Sequence, residues 1–170
     1  MKKFYENDLE EIIYTADREV LEDRGLFIPN GRLFRQLRIG NYGIADLVSV
    51  SKSKTPDGDA YIDIEVIELK EDKIGLSAFL QAIKYVKGIH SYLSDNRLFD
   101  RYKLGMCLIG SSMDVSGTFC YLPDLIGDSN VFSPYNNGNI DLFRVYTYEY
   151  KIDGIYFQDQ RGFKLDDEGF

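Results

Sequence analysis

Residues 60–110 alternate an apolar strand, an amphipathic helix and a second apolar strand, an order that restricts the chain to an α/β fold. The first strand is predicted over Ala60–Lys70 and the second over Lys103–Gly110. The helix between them is predicted over about residues 77–93, because its apolar side chains recur at helical spacing and form one stripe. They are Phe79, Ala82, Ile83, Val86, Ile89 and Leu93.

The flanking segments extend this pattern. A helix is predicted over about residues 7–23, with Asn7 as its N-cap and Gly25 as its stop. Strands are predicted over Leu33–Ile39 and Gly43–Ser51, and with the strand from Ala60 they form an antiparallel meander. Further along, the sequence predicts a weaker helix over Phe119–Ile126 and a closing hairpin of Leu142–Tyr150 with Ile155–Phe157; residues from about 162 fray.

Composition predicts one domain over residues 1–165, followed by an acidic tail over residues 166–170. With 44% hydrophobic residues in 170, the chain can build a single core. No secretory signal or membrane-length apolar run is present in the sequence, so we expect a cytoplasmic protein with no membrane partner. Cys107 and Cys120 lie in apolar surroundings without metal-ligand spacing, which predicts reduced core thiols; a disulfide is the less favoured alternative.

The net charge of −8 argues against a broad electrostatic interface with nucleic acid, since phosphate contacts supply most of the affinity of a nucleic-acid binder. The basic residues are nevertheless clustered, so a local basic face is plausible on an acidic molecule. One cluster, free of acids, comprises Arg24, Arg32, Arg35 and Arg38; a second comprises Lys84, Lys87, Arg97, Arg101 and Lys103.

The strand that ends in Glu68-Leu69-Lys70 carries the candidate chemistry. Residues two apart on a strand share a face, so Glu68 and Lys70 project together. If the strand of Asp46 pairs with this one, its carboxylate can face Glu68. Two such carboxylates repel unless a divalent cation neutralises them, and oxygen ligands of this kind suit Mg²⁺ or Mn²⁺. Lys70 then orients water or stabilises charge on a phosphate.

A surface ion pair at the end of a strand explains Glu68 and Lys70 equally well when they are taken alone. Glu71-Asp72-Lys73 repeats the same tripeptide in a polar turn, which shows how little the tripeptide indicates without context. The context here is the apolar strand behind Glu68, the acid Asp46 before it, and Gln81 with Tyr85 one helical turn apart after it.

In this combination the chain resembles the PD-(D/E)XK nuclease superfamily, and within it the catalytic domain of NucS-type, mismatch- or branch-directed endonucleases. The resemblance covers roughly residues 6–93. Its motifs are Glu6–Glu11, Arg35–Gly40, Tyr42–Leu47, Val66–Lys70 and Gln81–Tyr85. It implies a restriction-endonuclease-like core, that is, a mixed central sheet flanked by helices. Ala45 stands where the superfamily often has proline, and residues 52–59 form a hairpin extension that leaves the site intact.

The resemblance also implies roles for individual residues. Asp46, Glu68 and the Leu69 carbonyl correspond to the ligands of Mg²⁺ or Mn²⁺, and Lys70 to the water-positioning base. Gln81 corresponds to a catalytic-motif residue that braces the site. Tyr85, Arg35, Arg38 and Lys84 are candidates for binding the substrate backbone. The family's helix-borne acid falls on Glu10, but Glu10 also stands three residues after Asn7 and could simply close a capping box.

The sequence therefore predicts a metal-dependent DNA endonuclease, with RNA left open as a substrate. The alternative is a catalytically inactive nuclease-like domain that binds nucleic acid or protein. No recognition domain is evident, so a homodimer or a separate targeting partner would supply target choice. His90 and the tyrosines at positions 146, 148 and 150 are weaker candidates, for which packing is the simpler explanation.

Overall fold

The computed structural model describes residues 5–97, 101–126 and 140–161. Its helices are α1 (Glu6–Thr15), α2 (Arg18–Asp23), α3 (Leu76–Asn96) and α4 (Leu122–Ile126). Its strands are β1 (Arg32–Ile39), β2 (Gly43–Lys54), β3 (Ala60–Leu69), β4 (Lys73–Ile74), β5 (Tyr102–Gly110), β6 (Ser112–Met113), β7 (Leu142–Lys151) and β8 (Gly154–Asp159). Short 3₁₀ turns follow β1 at Gly40–Tyr42 and precede α4 at Thr118–Tyr121.

Six strands form one mixed sheet in the order β1-β2-β3-β5-β7-β8. The meander β1-β2-β3 is antiparallel, as predicted, whereas β3, β5 and β7 run parallel and β8 closes the sheet as an antiparallel hairpin partner. The parallel pair β3–β5 is connected through α3, the usual crossover for parallel strands. The expected α/β fold with a mixed central sheet flanked by helices is therefore confirmed.

The sheet buries apolar side chains on both faces, because helices cover both. On one face α3 packs through Phe79, Ala82 and Val86 against side chains that include Val66 and Met106. On the other, α1 and α2 supply one cluster with the sheet; its members include Leu9, Ile13, Leu21, Leu47, Ile67, Leu69, Ile109 and Phe157. The strand β3 thus lies in the middle of the molecule, with its carboxyl end between α1 and α3.

The prediction of a single helix over residues 7–23 is wrong, because the chain breaks between α1 and α2. Ala16 and Asp17 adopt extended backbone angles with ψ of 146° and 143°. The break redirects the apolar side chains: Leu21 is buried, whereas Val20, which follows Ile13 and Ala16 at helical spacing, is 43% exposed. Packing against the sheet therefore overrides the local helical periodicity.

Most other expectations for single elements are confirmed. Helix α3 and strand β5 cover the predicted ranges, and the segment at 118–126 is a 3₁₀ turn followed by a short helix. Cys107 and Cys120 are buried free thiols. Tyr146 and Tyr148 are buried in the core rather than forming a partner surface. The predicted tail at residues 166–170 and fraying from residue 162 lie outside the described residues.

A buried ion pair crosses the sheet on the α1 face. The Arg144 guanidinium on β7 donates two hydrogen bonds to the Glu65 carboxylate on β3, and both side chains are about 95% buried. Its third nitrogen donates to the Phe27 carbonyl at 2.8 Å. Burial alone would lower the pKa of Arg144, but the adjacent Glu65 carboxylate more than offsets this and raises it, so the guanidinium stays charged.

Across the described ranges, no helix has both the length and the apolar character that a membrane span requires.

Candidate active site

The antiparallel register places Asp46 opposite Glu68. Leu47 pairs with Ile67 as the last residue pair of the β2–β3 ladder, so the next position along each strand carries one of the two acids. The Leu69 amide donates to Asp46 Oδ2 at 2.9 Å, which holds the half-buried carboxylate against the end of β3. The structure thus brings together the two acids that the sequence predicts as a pair.

Glu68 lies beside Lys70 but is not part of a surface ion pair. Lys70 Nζ donates to Glu68 Oε1 at 2.7 Å, and the Glu68 side chain is only 1% exposed. Its second oxygen, Oε2, is buried and has no hydrogen-bond partner among the described residues. A buried carboxylate oxygen without a donor costs free energy, which is why such an atom calls for an explanation.

A second Glu-x-Lys ion pair in the chain lies on the surface and can be compared with Glu68 and Lys70. Glu149-Tyr150-Lys151 on β7 is another Glu-x-Lys, and its charged atoms lie 2.8 Å apart. Its glutamate and lysine side chains are 66% and 50% exposed, against 1% and 27% for Glu68 and Lys70. Both places have a Glu-x-Lys pattern and an ion pair of similar length, so burial distinguishes Glu68 where the pattern does not.

Burial and repulsion set the protonation of the two acids. Burial, followed by the charge of Asp46, raises the pKa of Glu68 to about 7, although the bond from Lys70 opposes the shift. Burial also raises the pKa of Asp46, against the opposing effects of the Leu69 amide and Lys70. Two such carboxylates favour a proton or a cation between them. For Lys70, burial lowers the pKa, but Glu68 and the neighbouring acids outweigh it, so the pKa is raised and the amine stays protonated.

Glu10 is buried at the sheet-facing side of α1 and does not close a capping box. The N-cap of α1 is Tyr5, whose amide donates to Asp8 at 3.0 Å, so the capping alternative based on Asn7 is wrong. The Glu10 carboxylate instead accepts from Arg35 Nε through one oxygen and from Gln36 Nε2 through the other. The acid is therefore held by β1, and its charge still raises the pKa of Asp46.

Glu6 belongs to the same cluster, although no pattern in the sequence predicts a role for it. It lies one helical turn before Glu10, so both project from one face of α1. Burial raises the pKa of Glu6; the charge of Lys70 opposes this shift, whereas the charges of Asp46 and Glu10 add to it, so Glu6 is electrostatically coupled to the site. In the sequence, the four-residue spacing of Glu6 and Glu10 indicates a shared helix face, but it does not show that this face packs at the site.

The two predicted residues of α3 form a pair of their own. Gln81 Nε2 donates to Tyr85 Oη at 3.1 Å, and Tyr85 is 6% exposed, within the core on the α3 face. The Tyr85 ring packs against Gly43 at the start of β2, where an added Cβ would lie 2.9 Å from the ring. Tyr85 therefore braces the strand of Asp46 from behind; no hydrogen bond joins Gln81 or Tyr85 to Asp46 or Glu68 in the described structure.

The predicted substrate-binding cations differ in their surroundings: one is paired with carboxylates and the others are exposed. Arg35 is paired with Glu10 and Glu11, so its guanidinium is engaged by two carboxylates. Arg38 and Lys84 are exposed, on β1 and α3 respectively, and Arg38 lines a groove of about 670 Å³ between these elements. His90 Nδ1 forms a hydrogen bond of 2.8 Å with Tyr102 Oη, which is consistent with a structural role for His90.

Several groups could take part in holding a metal ion. Among residues 5–97, 101–126 and 140–161, no three His, Cys, Asp or Glu side chains converge closely enough to form a ready metal centre. The donor set nevertheless fits Mg²⁺ or Mn²⁺, because Asp46 and Glu68 offer carboxylate oxygens and Glu68 Oε2 has no hydrogen-bond partner in the described part of the chain. These cations also take water and substrate oxygens as ligands, so two carboxylates are sufficient protein donors.

Comparisons with known proteins give one structural similarity. No protein-family model and no curated protein matches the chain. A chain from the solved structure of an EndoMS–dsDNA2 complex is similar to it, with 23% sequence identity and a TM-score of 0.47. The match covers 84% of this chain and 44% of that chain, so this chain spans less than half the length of the protein it matches.

Proposed function

We propose that this protein is a divalent-metal-dependent phosphodiesterase that hydrolyses DNA. The observation that carries the proposal is the buried Oε2 of Glu68, which has no hydrogen-bond partner among the residues that the structure describes and lies at the end of β3, next to Lys70 and opposite Asp46. A purely structural ion pair would leave no reason to bury that oxygen without a donor. A cation at this position would satisfy the oxygen and relieve the repulsion between the two carboxylates.

The residues around the site divide the chemistry among them. Asp46, Glu68 and the Leu69 carbonyl would hold Mg²⁺ or Mn²⁺, which when bound lowers the pKa of a water and polarises the phosphate. Lys70 is an ammonium group at neutral pH, so it would orient the water and stabilise charge on the phosphate oxygens rather than accept a proton. Glu6 interacts electrostatically with Lys70 and Asp46, and when ionised it adds negative charge that favours a cation.

The substrate assignment rests on the order of the motifs, which resembles that of PD-(D/E)XK nucleases. The exposed cations Arg38 and Lys84 would contact the phosphate backbone, with Tyr85 as a brace rather than a direct contact. Because the net charge is −8, the contact with DNA must be local, and with so few phosphate contacts its affinity should fall only gently as the salt concentration rises.

Incubation of the purified chain with DNA tests the proposal directly. Single-stranded, duplex, mismatched and branched DNA would each be tested with Mg²⁺, Mn²⁺ and a chelator, and a matching RNA would test the sugar. We expect metal-dependent cleavage of at least one DNA substrate. Absence of cleavage of every substrate with either metal would contradict the proposal.

A binding module without turnover is the second candidate, favoured by the net charge and by the lack of a ready three-ligand centre in the described ranges. The two candidates differ in metal binding. We expect Mn²⁺ to raise the melting temperature, because a ligand that binds only the folded state stabilises it by about 2.7 kcal/mol at 100 times its Kd.

The variant Asp46→Asn should lose this stabilisation by Mn²⁺, since it removes one of the two charged ligands. Its metal-free melting temperature should be unchanged or higher, because the substitution also removes the repulsion with Glu68. Asp57→Asn, in the exposed turn between β2 and β3, is the matched control and should respond to Mn²⁺ like the wild type. No Mn²⁺ effect on the wild type, or an equal effect on Asp46→Asn, would favour the binding module.

A further inference from the structure

Gln36 stands in an unusual conformation in the middle of β1. Its φ is 49°, and Arg97 is the one other non-glycine residue with positive φ in the described ranges. Arg97 is the C-cap of α3, where a left-handed residue commonly ends a helix. Gln36 does not end an element, because β1 is paired with β2 on both sides of it, through Arg35 with Leu47 and Leu37 with Ala45. Strain of this kind persists only where the surroundings enforce it.

The left-handed conformation changes where the side chain of Gln36 can reach. Successive side chains on a regular strand point to opposite faces. Here Arg35 and Gln36 are successive, yet both donate to the carboxylate of Glu10 on α1. The distortion of β1 therefore brings two neighbouring donors to one buried acid, which is 3% exposed.

The same residue lies directly across from Asp46. The pairs on either side of it in the β1–β2 ladder place Gln36 and Asp46 opposite each other. Side chains that stand directly opposite on antiparallel strands have Cβ atoms about 4.5–5.5 Å apart, so the long Gln36 side chain can reach the Asp46 carboxylate as well. A primary amide has two N–H groups, enough to serve two carboxylates at once, and it adds no charge that would repel a cation.

We propose that Gln36 is a positioning residue, which ties Glu10 on α1 to Asp46 on β2 and thereby orients the Asp46 carboxylate toward the metal position. The inference rests on the proposed metal-dependent function and deepens it. It also gives Glu10 a role as an anchor for Gln36, since both of its oxygens are already engaged by β1.

The test uses the intact chain and the variants Gln36→Gly, Gln36→Asn and Arg97→Gly. Glycine removes the amide and the backbone strain together, whereas asparagine retains an amide and tolerates the left-handed conformation. Arg97→Gly is the matched control, since it relieves the same kind of strain at the end of α3, outside the site. Mn²⁺ affinity would be measured by calorimetry, and the metal-free melting temperature and crystal structure determined for each variant.

We expect Gln36→Gly to bind Mn²⁺ about 10-fold or more weakly, as for partners that orient metal ligands. Gln36→Asn should restore part of the affinity, and Arg97→Gly should bind Mn²⁺ like the wild type. In the metal-free crystal structure of Gln36→Gly, the carboxylates of Asp46 and Glu10 should both have turned.

Wild-type Mn²⁺ affinity in Gln36→Gly would overturn the inference, as would unchanged orientations of Asp46 and Glu10 in its crystal structure. If the wild type itself binds no Mn²⁺, the proposed function fails, but the metal-free crystal structure still decides whether Gln36 positions Asp46. If Gln36→Gly does not fold, the Mn²⁺ affinity and the crystal structure are determined for Gln36→Asn instead. Wild-type Mn²⁺ affinity in Gln36→Asn, together with unchanged orientations of the Asp46 and Glu10 carboxylates, would contradict the inference.

Discussion

Glu68→Gln is expected to lower metal-dependent DNA cleavage by about 100-fold or more, because it replaces a charged metal ligand by a neutral amide. The variant should nevertheless fold. Gln has nearly the same shape as Glu, and it removes both the burial cost of a charge and the repulsion with Asp46. Its metal-free melting temperature should therefore be unchanged or higher, and cleavage rates with Mn²⁺ and melting curves would be measured together.

Glu149→Gln is the matched control for this prediction. It makes the same substitution in the same tripeptide and in an ion pair of similar length, but on the exposed surface of β7. Cleavage by this variant should stay close to that of the wild type. Glu68→Gln with a cleavage rate near that of the wild type would show that Glu68 is not a ligand.

Arg144→Met is expected to reduce the free energy of unfolding by about 3–5 kcal/mol, the usual cost of removing one partner of a buried ion pair. The loss arises because Glu65 would remain buried without its cation, while the Phe27 carbonyl would lose its donor. Since Glu65 and Arg144 connect β3 to β7 across β5, the effect should appear as a global loss of stability in urea unfolding.

Two further variants separate the buried charge from the loss of a side chain. Lys151→Met removes the cation of the exposed pair with Glu149 and should cost at most about 1 kcal/mol. The double variant Glu65→Leu/Arg144→Met removes both charges, and we expect it to recover much of the stability that Arg144→Met loses. Equal stability of Arg144→Met and wild type would contradict the assignment of this pair as a buried anchor.

The sequence was most informative where a structure depends on nearby residues. The stripe of α3 and the alternation of the meander predicted their elements closely, because helix and strand periodicities are local properties. The same locality predicted that Glu68 and Lys70 would meet, since residues two apart share a face of a strand. Prediction from local periodicity failed between α1 and α2, because the helical pattern continues there although the chain breaks at Ala16 and Asp17. The break allows Leu21 to be buried against the sheet.

Within the candidate site, the sequence missed contacts that join distant segments. Glu6 and Gln36 lie in segments that resemble the family motifs, but no role was predicted for either, and Glu10 was predicted either as a ligand or as a cap. Each acquires its place only when α1 docks on the sheet and β1 distorts opposite Asp46.

By itself, the sequence determined the order of strands and helices and the pairing of Glu68 with Lys70, because both follow from periodicity within a few residues. Tertiary structure decided that Asp46 stands opposite Glu68, that β1 holds Glu10, and that one oxygen of Glu68 is buried without a donor. The physical reason is visible in the two ion pairs of the same tripeptide. Glu68 and Glu149 belong to the same Glu-x-Lys pattern, but Glu68 stands between the buried Ile67 and Leu69 at the end of β3, whereas Glu149 stands at the exposed end of β7.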